Sequence, residues 1–131
     1  MMDRWYDQKE ESILIAEDSP VQQLFFQRQL NKLGYFNLTV VVNGYEALQK
    51  AKINRFSIIF MDCEMPILDG FDATKEIRAY EAGLGRYTPI IAISGHDLEQ
   101  SRKCIELGMD DCLIKPIRTE DLQAILVKHL A

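Results

Sequence analysis

No apolar run in this sequence approaches the roughly 20 residues that a membrane-spanning helix needs, and no charged-then-apolar leader opens it. Cysteine is sparse. Cys63, Cys104 and Cys112 are odd in number and lie in or beside apolar stretches, which points to reduced thiols. There is no C-x-x-C pair, and the only histidines are His96 and His129, so the ligands for a zinc site are missing. Lys/Arg clusters are absent too, and the formal net charge is −5, which argues against nucleic acid or an anionic membrane as partner. Internal repeats and low-complexity tracts are also lacking. Together these absences predict a cytoplasmic chain that makes no membrane contact.

What remains is 131 residues, 47% hydrophobic and 27% charged, enough for one domain with a sizeable core. Apolar strands and amphipathic helices alternate along it. Ser12–Ala16 reads as a strand. Ser19 then caps a helix with Pro20 in its first turn. That helix runs to about Leu33, with Gly34 as its stop and Val21, Leu24, Phe25, Leu30 and Leu33 as its expected buried face. Leu38–Val42 and Phe56–Met61 are the next strands, separated by Asn43-Gly44 and a helix over Tyr45–Ile53. A helix over Phe71–Glu81, a strand over Pro89–Ile93 and a helix over Asp97–Leu107 follow. Cys112–Ile114 and Glu120–Leu130 close the series. Near-continuous apolar strands joined by helices indicate a parallel sheet covered on both faces, an open doubly wound α/β architecture. Residues 1–11 are polar and aperiodic and read as an N-terminal tail or linker to a domain over 12–131, although Trp5 and Tyr6 could pack on it.

The stretch FSIIFMDCEMPILDG, Phe56–Gly70, shows a core strand stopping at an aspartate, Asp62. In open parallel sheets, sites form beyond the carboxyl ends of the strands, where strand order reverses. Collected at those ends are Glu17-Asp18, Asp62, Ser94 and Lys115-Pro116. A single aspartate after a strand more often caps a helix or faces solvent, but five polar groups all falling at strand ends do not fit that pattern. If the first and third strands are neighbours, three carboxylates converge. A like pair at 4 Å costs about 1 kcal/mol in water and roughly 4 kcal/mol at an effective dielectric of 20. A hard divalent ion would offset this, with Mg²⁺ the usual choice where phosphate is handled. Lys115 can neutralise part of the charge without metal. An aspartate beside such an ion can be a nucleophile that forms an aspartyl phosphate. The Ser94 hydroxyl can then donate to a phosphoryl oxygen.

These elements resemble the receiver domain of two-component response regulators. The resemblance is carried by "ILIAEDS", "IIFMDCEMPILDG", "IIAISG" and "GMDDCLIKPI", in this order and spacing, from Ile13 to about Leu130. It implies a flavodoxin-like five-stranded parallel sheet of order 2-1-3-4-5 with helices on both faces. It also implies that Asp62 is the phosphorylated residue and that Lys115 and Ser94 assist the chemistry. Asp18 would be a direct metal ligand, Glu17 an indirect one through water, and Glu64 a ligand through its backbone carbonyl. The metal would be Mg²⁺, with Mn²⁺ as an alternative. The Lys115–Pro116 bond is expected to be cis, as is typical of the family. The subtype, from "MDCEMPILDGFDATKEIR" and "GRYTPIIAIS", looks like the receivers of hybrid sensor histidine kinases. The implied function is a phosphorelay acceptor whose partners are a histidine kinase or a histidine phosphotransfer domain. It would not be an enzyme beyond its own Mg²⁺-dependent phosphorylation and dephosphorylation. With nothing after the last helix, no DNA-binding output domain is expected.

One position departs from the family. Three residues before the lysine, where receivers usually have Tyr or Phe, stands Cys112. A thiol has too little surface to act as the aromatic reporter of Ser94, so coupling from Ser94 to the fourth helix and fifth strand is expected to be weaker or carried by other residues. Cys63 reads as a small hydrophobe, Met61, Met65 and Met109 as packing, and Gly70 and Gly108 as loop glycines with special backbone conformations. His96 lies near the mouth of the site. His129 does not read as a relay histidine. An alternative function is a metal-dependent phosphohydrolase with Glu64 as proton donor, but the chain leaves little length for a substrate-enclosing cap. A receiver-like docking module that is never phosphorylated is a further alternative, and the intact acids and lysine count against it.

Overall fold

The computed structural model of the chain describes residues 11–95 and 98–130. The expectations for residues 1–10, Trp5 and Tyr6 among them, and for His96 and Asp97 lie outside the described residues. Ten elements follow one another: β1 (Ile13–Ala16), α1 (Pro20–Lys32), β2 (Leu38–Val41), α2 (Gly44–Ile53), β3 (Ile58–Asp62), α3 (Gly70–Ala82), β4 (Ile90–Ser94), α4 (Leu98–Glu106), β5 (Asp111–Ile114) and α5 (Thr119–Leu130). The strands form one parallel sheet in the order β2-β1-β3-β4-β5. Successive crossovers through helices bury both faces, so the central strands lack the polar alternation of a one-sided sheet. No described helix is long and apolar enough to cross a membrane.

Two core layers result. On one face Leu14, Ile59, Met61 and Ala92 pack with Leu48, Ile77, Cys104 and Met109 from α2, α3, α4 and the α4–β5 turn. On the other, Ile13, Ile15, Phe60 and Ile93 pack with Phe26 and Leu30 of α1 and Leu122 and Leu126 of α5. Phe26 meets Phe60 edge to face at 4.9 Å between centroids.

The buried face of α1 differs from expectation. Phe26 and Leu30 are buried and Leu33 packs beside them, but Val21, Leu24 and Phe25 are 65%, 50% and 63% exposed. The inward stripe is the i, i+4, i+7 set that starts at Phe26. Apolar residues lie on both sides of this helix, so periodicity alone could not choose the face. The helix ends agree with expectation. Ser19 accepts from the Gln22 N–H, Pro20 stands in the first turn, and Gly34 follows the Leu33 cap with φ 98°. Asn43 likewise caps α2 by accepting from Glu46 N–H at 2.8 Å.

Candidate functional site

β1 and β3 are adjacent, with Ala16 opposite Met61, so the residues that follow each strand end meet at the point where strand order reverses. Glu17, Asp18 and Asp62 each offer a carboxylate oxygen within 4.8 Å of the others. Glu17 and Asp62 are buried and Asp18 is exposed, so the cluster opens to solvent on one side.

The buried acids are held by the backbone and by one cation. The Asp62 Oδ1 accepts from the Glu64 N–H at 2.9 Å, and its Oδ2 accepts from Lys115 Nζ at 2.9 Å. Glu17 Oε2 accepts from the Ser19 N–H at 3.0 Å, and its Oε1 lies 3.3 Å from Lys115 Nζ. Gln23 braces the Glu17 carbonyl at 2.6 Å. One ammonium therefore serves two carboxylates. Burial raises the Glu17 pKa above its ordinary value; the Ser19 N–H opposes this, the Asp62 charge adds to it, and Lys115 offsets part of it. For Lys115, burial works to lower the pKa, but the hydrogen bond to Asp62 and the charges of Asp62 and Glu17 outweigh it and the value is raised.

The loop between β3 and α3 closes tightly over these groups. Gly70 donates its N–H to the Cys63 carbonyl at 3.3 Å. A Cβ on Gly70 would lie 2.3 Å from the Asp62 carbonyl oxygen, so glycine is needed here for close approach rather than for a left-handed backbone. Gly108 does have the positive φ expected of it, 104°. Ile67 occupies the left-handed region at φ 70° in a tight turn closed by Leu68 N–H to the Pro66 carbonyl at 2.8 Å. That conformation costs a β-branched residue on the order of 1–2 kcal/mol. Leu68 holds it in place by accepting from the Gly44 N–H at 2.9 Å. The Lys115–Pro116 peptide is cis.

Ser94 ends β4 and is buried, beside Ile114 of β5. Its hydroxyl lies within hydrogen-bond distance of the Gly95 carbonyl, Ser101 and Cys112. Glu64 points its side chain away from Asp62, to Gln100 of α4 at 3.1 Å, and is exposed. Cys63 is buried, and its sulfur lies 3.2 Å from that of Cys104. His129 pairs with Asp111 at 3.3 Å, at β5 rather than among the site's acids. The residues that sequence reasoning did not single out are Gln100 and Ser101, both on α4, where Cys104 reads from sequence only as a reduced thiol. Their only signal is a shared helical face, which becomes informative once the register of α4 against β4 and β5 is known.

The donor set suits a hard divalent cation. Three carboxylates converge with one lysine between them, and no described sulfur or imidazole competes for the position. Comparison with known proteins agrees with this chemistry. The chain matches the family profile described as "Response regulator receiver domain" over residues 13–127. It is 40% identical over 119 residues to the hybrid signal transduction protein dokA of Dictyostelium discoideum, covering 91% of this chain and 7% of that protein. It is 37% identical over 125 residues to the osmosensing histidine protein kinase SLN1 of Saccharomyces cerevisiae, covering 91% and 10%. The chain thus spans a small fraction of these relatives' length. Among solved structures, the receiver domain of sensor histidine kinase PA1611 from Pseudomonas aeruginosa is 42% identical with TM-score 0.83, covering 92% of this chain and 97% of that one. It holds a magnesium ion in its active-site cleft. The receiver domain of Ssk1 of Saccharomyces cerevisiae, solved in complex with the histidine phosphotransfer protein Ypd1, is 28% identical with TM-score 0.82, covering 92% and 89%.

Proposed function

The chain belongs to the response regulator receiver domain family, and from that premise we propose that it accepts a phosphoryl group on Asp62 from a phosphohistidine, as an intermediate in a cytoplasmic phosphorelay. Residues 12–131 form the receiver in this reading, and residues 1–11 a tail or linker. The observation that carries it is the convergence of Glu17, Asp18 and Asp62 at the β1/β3 switch point, with the Lys115 ammonium on Glu17 and Asp62.

In the transfer, one Asp62 carboxylate oxygen attacks phosphorus. The P–N bond of the donor breaks, and its electron pair stays on the leaving imidazole. Lys115 is placed to give a hydrogen bond and a positive charge to a phosphoryl oxygen, and the Ser94 hydroxyl can give a second. Asp18, Asp62, the Glu64 carbonyl and, through water, Glu17 would hold Mg²⁺, or Mn²⁺ in its place, which would supply charge neutralisation at the phosphoryl oxygens. With Mg²⁺ and acetyl phosphate, intact mass should show one added phosphoryl group. Asp62→Asn should show none, and a phosphoryl group that persists in that variant at another residue would overturn the assignment.

The partner is a histidine kinase or a histidine phosphotransfer domain. Support comes from the outward apolar face of α1. Val21, Leu24 and Phe25 are exposed there, and Phe25 lines a groove with Gln22, Gln29, Pro116 and Ile117, directly beside Lys115. A helix-bearing donor seated on this face brings its phosphohistidine to Asp62. Phe25→Ser removes a large exposed aromatic anchor without touching the core. It should slow phosphoryl transfer from a phosphorylated histidine phosphotransfer protein by about ten-fold or more, while leaving labelling by acetyl phosphate unchanged. Equal slowing of both reactions would count against a docking role.

A further inference from the structure

The Ser94 hydroxyl is already engaged. Its oxygen lies 3.3 Å from the Gly95 carbonyl, 3.2 Å from Ser101 Oγ and 3.4 Å from Cys112 Sγ. Cys112 and Ser101 also touch each other at 3.5 Å, so side chains from β4, α4 and β5 close a small triangle against the inner side of α4. Deeper in, the Cys104 sulfur, on the same helix as Ser101, lies 3.2 Å from that of Cys63, the residue after Asp62.

Neither Cys104 nor Cys112 is charged at neutral pH. For Cys104 the neighbouring Cys112 thiol works downward, but the bond with Cys63 and burial push the thiol up to about 12. The neighbouring Cys104 thiol and burial also raise Cys112. The triangle is therefore built from neutral donors and acceptors. A hydroxyl has a single proton to donate, so Ser94 cannot serve a phosphoryl oxygen while that proton is committed to Gly95, Ser101 or Cys112.

We propose that Cys112 and Ser101 are positioning residues: they hold the Ser94 hydroxyl in a resting place, and their release when Ser94 turns to a phosphoryl group is what reaches α4 in this chain. The inference rests on the reading of Asp62 as the phosphoacceptor. Ser101 and Cys104 are three residues apart and so share one face of α4. The helix is therefore held at two neighbouring points: Ser101 touches Ser94 of β4 and Cys112 of β5, and Cys104 touches Cys63. Sulfur is a weak donor and a weak acceptor, so the thiol makes a contact that is readily broken. A hydroxyl at position 112 would hold Ser94 more firmly.

Titration with beryllofluoride in Mg²⁺, followed by amide spectra, separates this role from simple packing. Cys112→Ala and Ser101→Ala should each bind beryllofluoride about two- to five-fold more tightly than the wild type, the scale of one weak hydrogen bond that no longer has to be broken. Cys112→Ser should return to wild-type affinity or below it. In a Ser94→Ala background neither Cys112→Ala nor Ser101→Ala should change affinity, because the residue they act through is gone. The amides of Ser101–Cys104 should shift with beryllofluoride in the wild type and shift less in Cys112→Ala. Wild-type affinity in both single variants would overturn the inference, as would the same gain without Ser94. A wild type that does not take up beryllofluoride, or uptake that survives Asp62→Asn, would instead overturn the phosphoacceptor reading itself.

Discussion

Replacing Arg78 by alanine is expected to destabilise the fold by roughly 3–5 kcal/mol, the usual consequence of leaving a buried charge without its partner. The guanidinium lies at the opposite end of the sheet from Asp62 and joins three segments. Its Nε donates to the Gly108 carbonyl at 3.0 Å, one terminal nitrogen donates to the Thr88 carbonyl at 2.7 Å and to Glu81 at 3.2 Å, and the other donates to Asp110 at 2.7 Å. The plane also stacks on Tyr87, 3.9 Å from the ring centroid. Glu81 is buried, and its remaining partners are the N–H and hydroxyl of Thr88.

Without Arg78 the Glu81 carboxylate stays buried and loses the only cation paired with it among the described residues. Asp110, which also accepts from the Ile90 N–H at 2.8 Å, loses its bridge to α3. Thermal melting should fall by on the order of 10–20 °C for a domain of this size. Arg78→Lys should recover little, because an ammonium cannot reproduce the planar fork that meets four acceptors. Arg78→Ala/Glu81→Leu should be more stable than Arg78→Ala alone, since it removes the stranded charge. A loss below about 1 kcal/mol for Arg78→Ala, measured by denaturant unfolding, would mean that this network is solvated rather than structural.

The Arg78 network was invisible in the sequence for a physical reason. Arg78 and Glu81 are i, i+3 on a helix and read as an ordinary surface pair. Asp110 lies 32 residues away in sequence and meets them through the packing of α3 against the α4–β5 turn. The carboxylate site was legible because each of its parts ends an apolar strand, and a parallel sheet brings all those ends to one edge. Periodicity failed on α1, where Val21, Leu24 and Phe25 face solvent beside Lys115 while Phe26 and Leu30 face the core. An apolar residue that serves a partner has the same pattern as one that serves the core. Cys112 was legible as a departure from the family, but its contacts with Ser94 and Ser101 were not. They depend on how α4 is rotated against β5, and hydrophobic spacing does not determine that to within a hydrogen bond.

In metal-free buffer, Asp62→Asn is expected to melt at a higher temperature than the wild type. Glu17 and Asp62 share a single ammonium and Asp18 lies within 4.8 Å of both, so three acids face one cation in the site. Burial, with the nearby Asp62 charge adding to it, raises the Glu17 pKa above its ordinary value of 4.5. A carboxyl with a raised folded value favours the fold fully below its ordinary value, and that contribution is lost as pH rises through the raised one. At neutral pH the Glu17 charge therefore opposes folding. Asparagine at 62 keeps an oxygen for the Glu64 N–H, removes one charge and leaves Lys115 to Glu17 alone. Screened repulsion of this kind should return on the order of 1 kcal/mol, or about 4 °C in melting temperature. Mg²⁺ should close this gap. At ten times its dissociation constant it stabilises the wild type by about 1.4 kcal/mol, and a variant that binds ten-fold more weakly gains only about 0.4 kcal/mol. Melting curves with EDTA and with a Mg²⁺ series test both halves. A variant that melts below the wild type in EDTA, or equal Mg²⁺ responses in the two proteins, would show that the acids are neither crowded nor the seat of the metal. The expected pattern, an acceptor aspartate that destabilises the empty fold and is compensated by the ion it binds, is what a charged cluster kept for chemistry rather than for stability should produce.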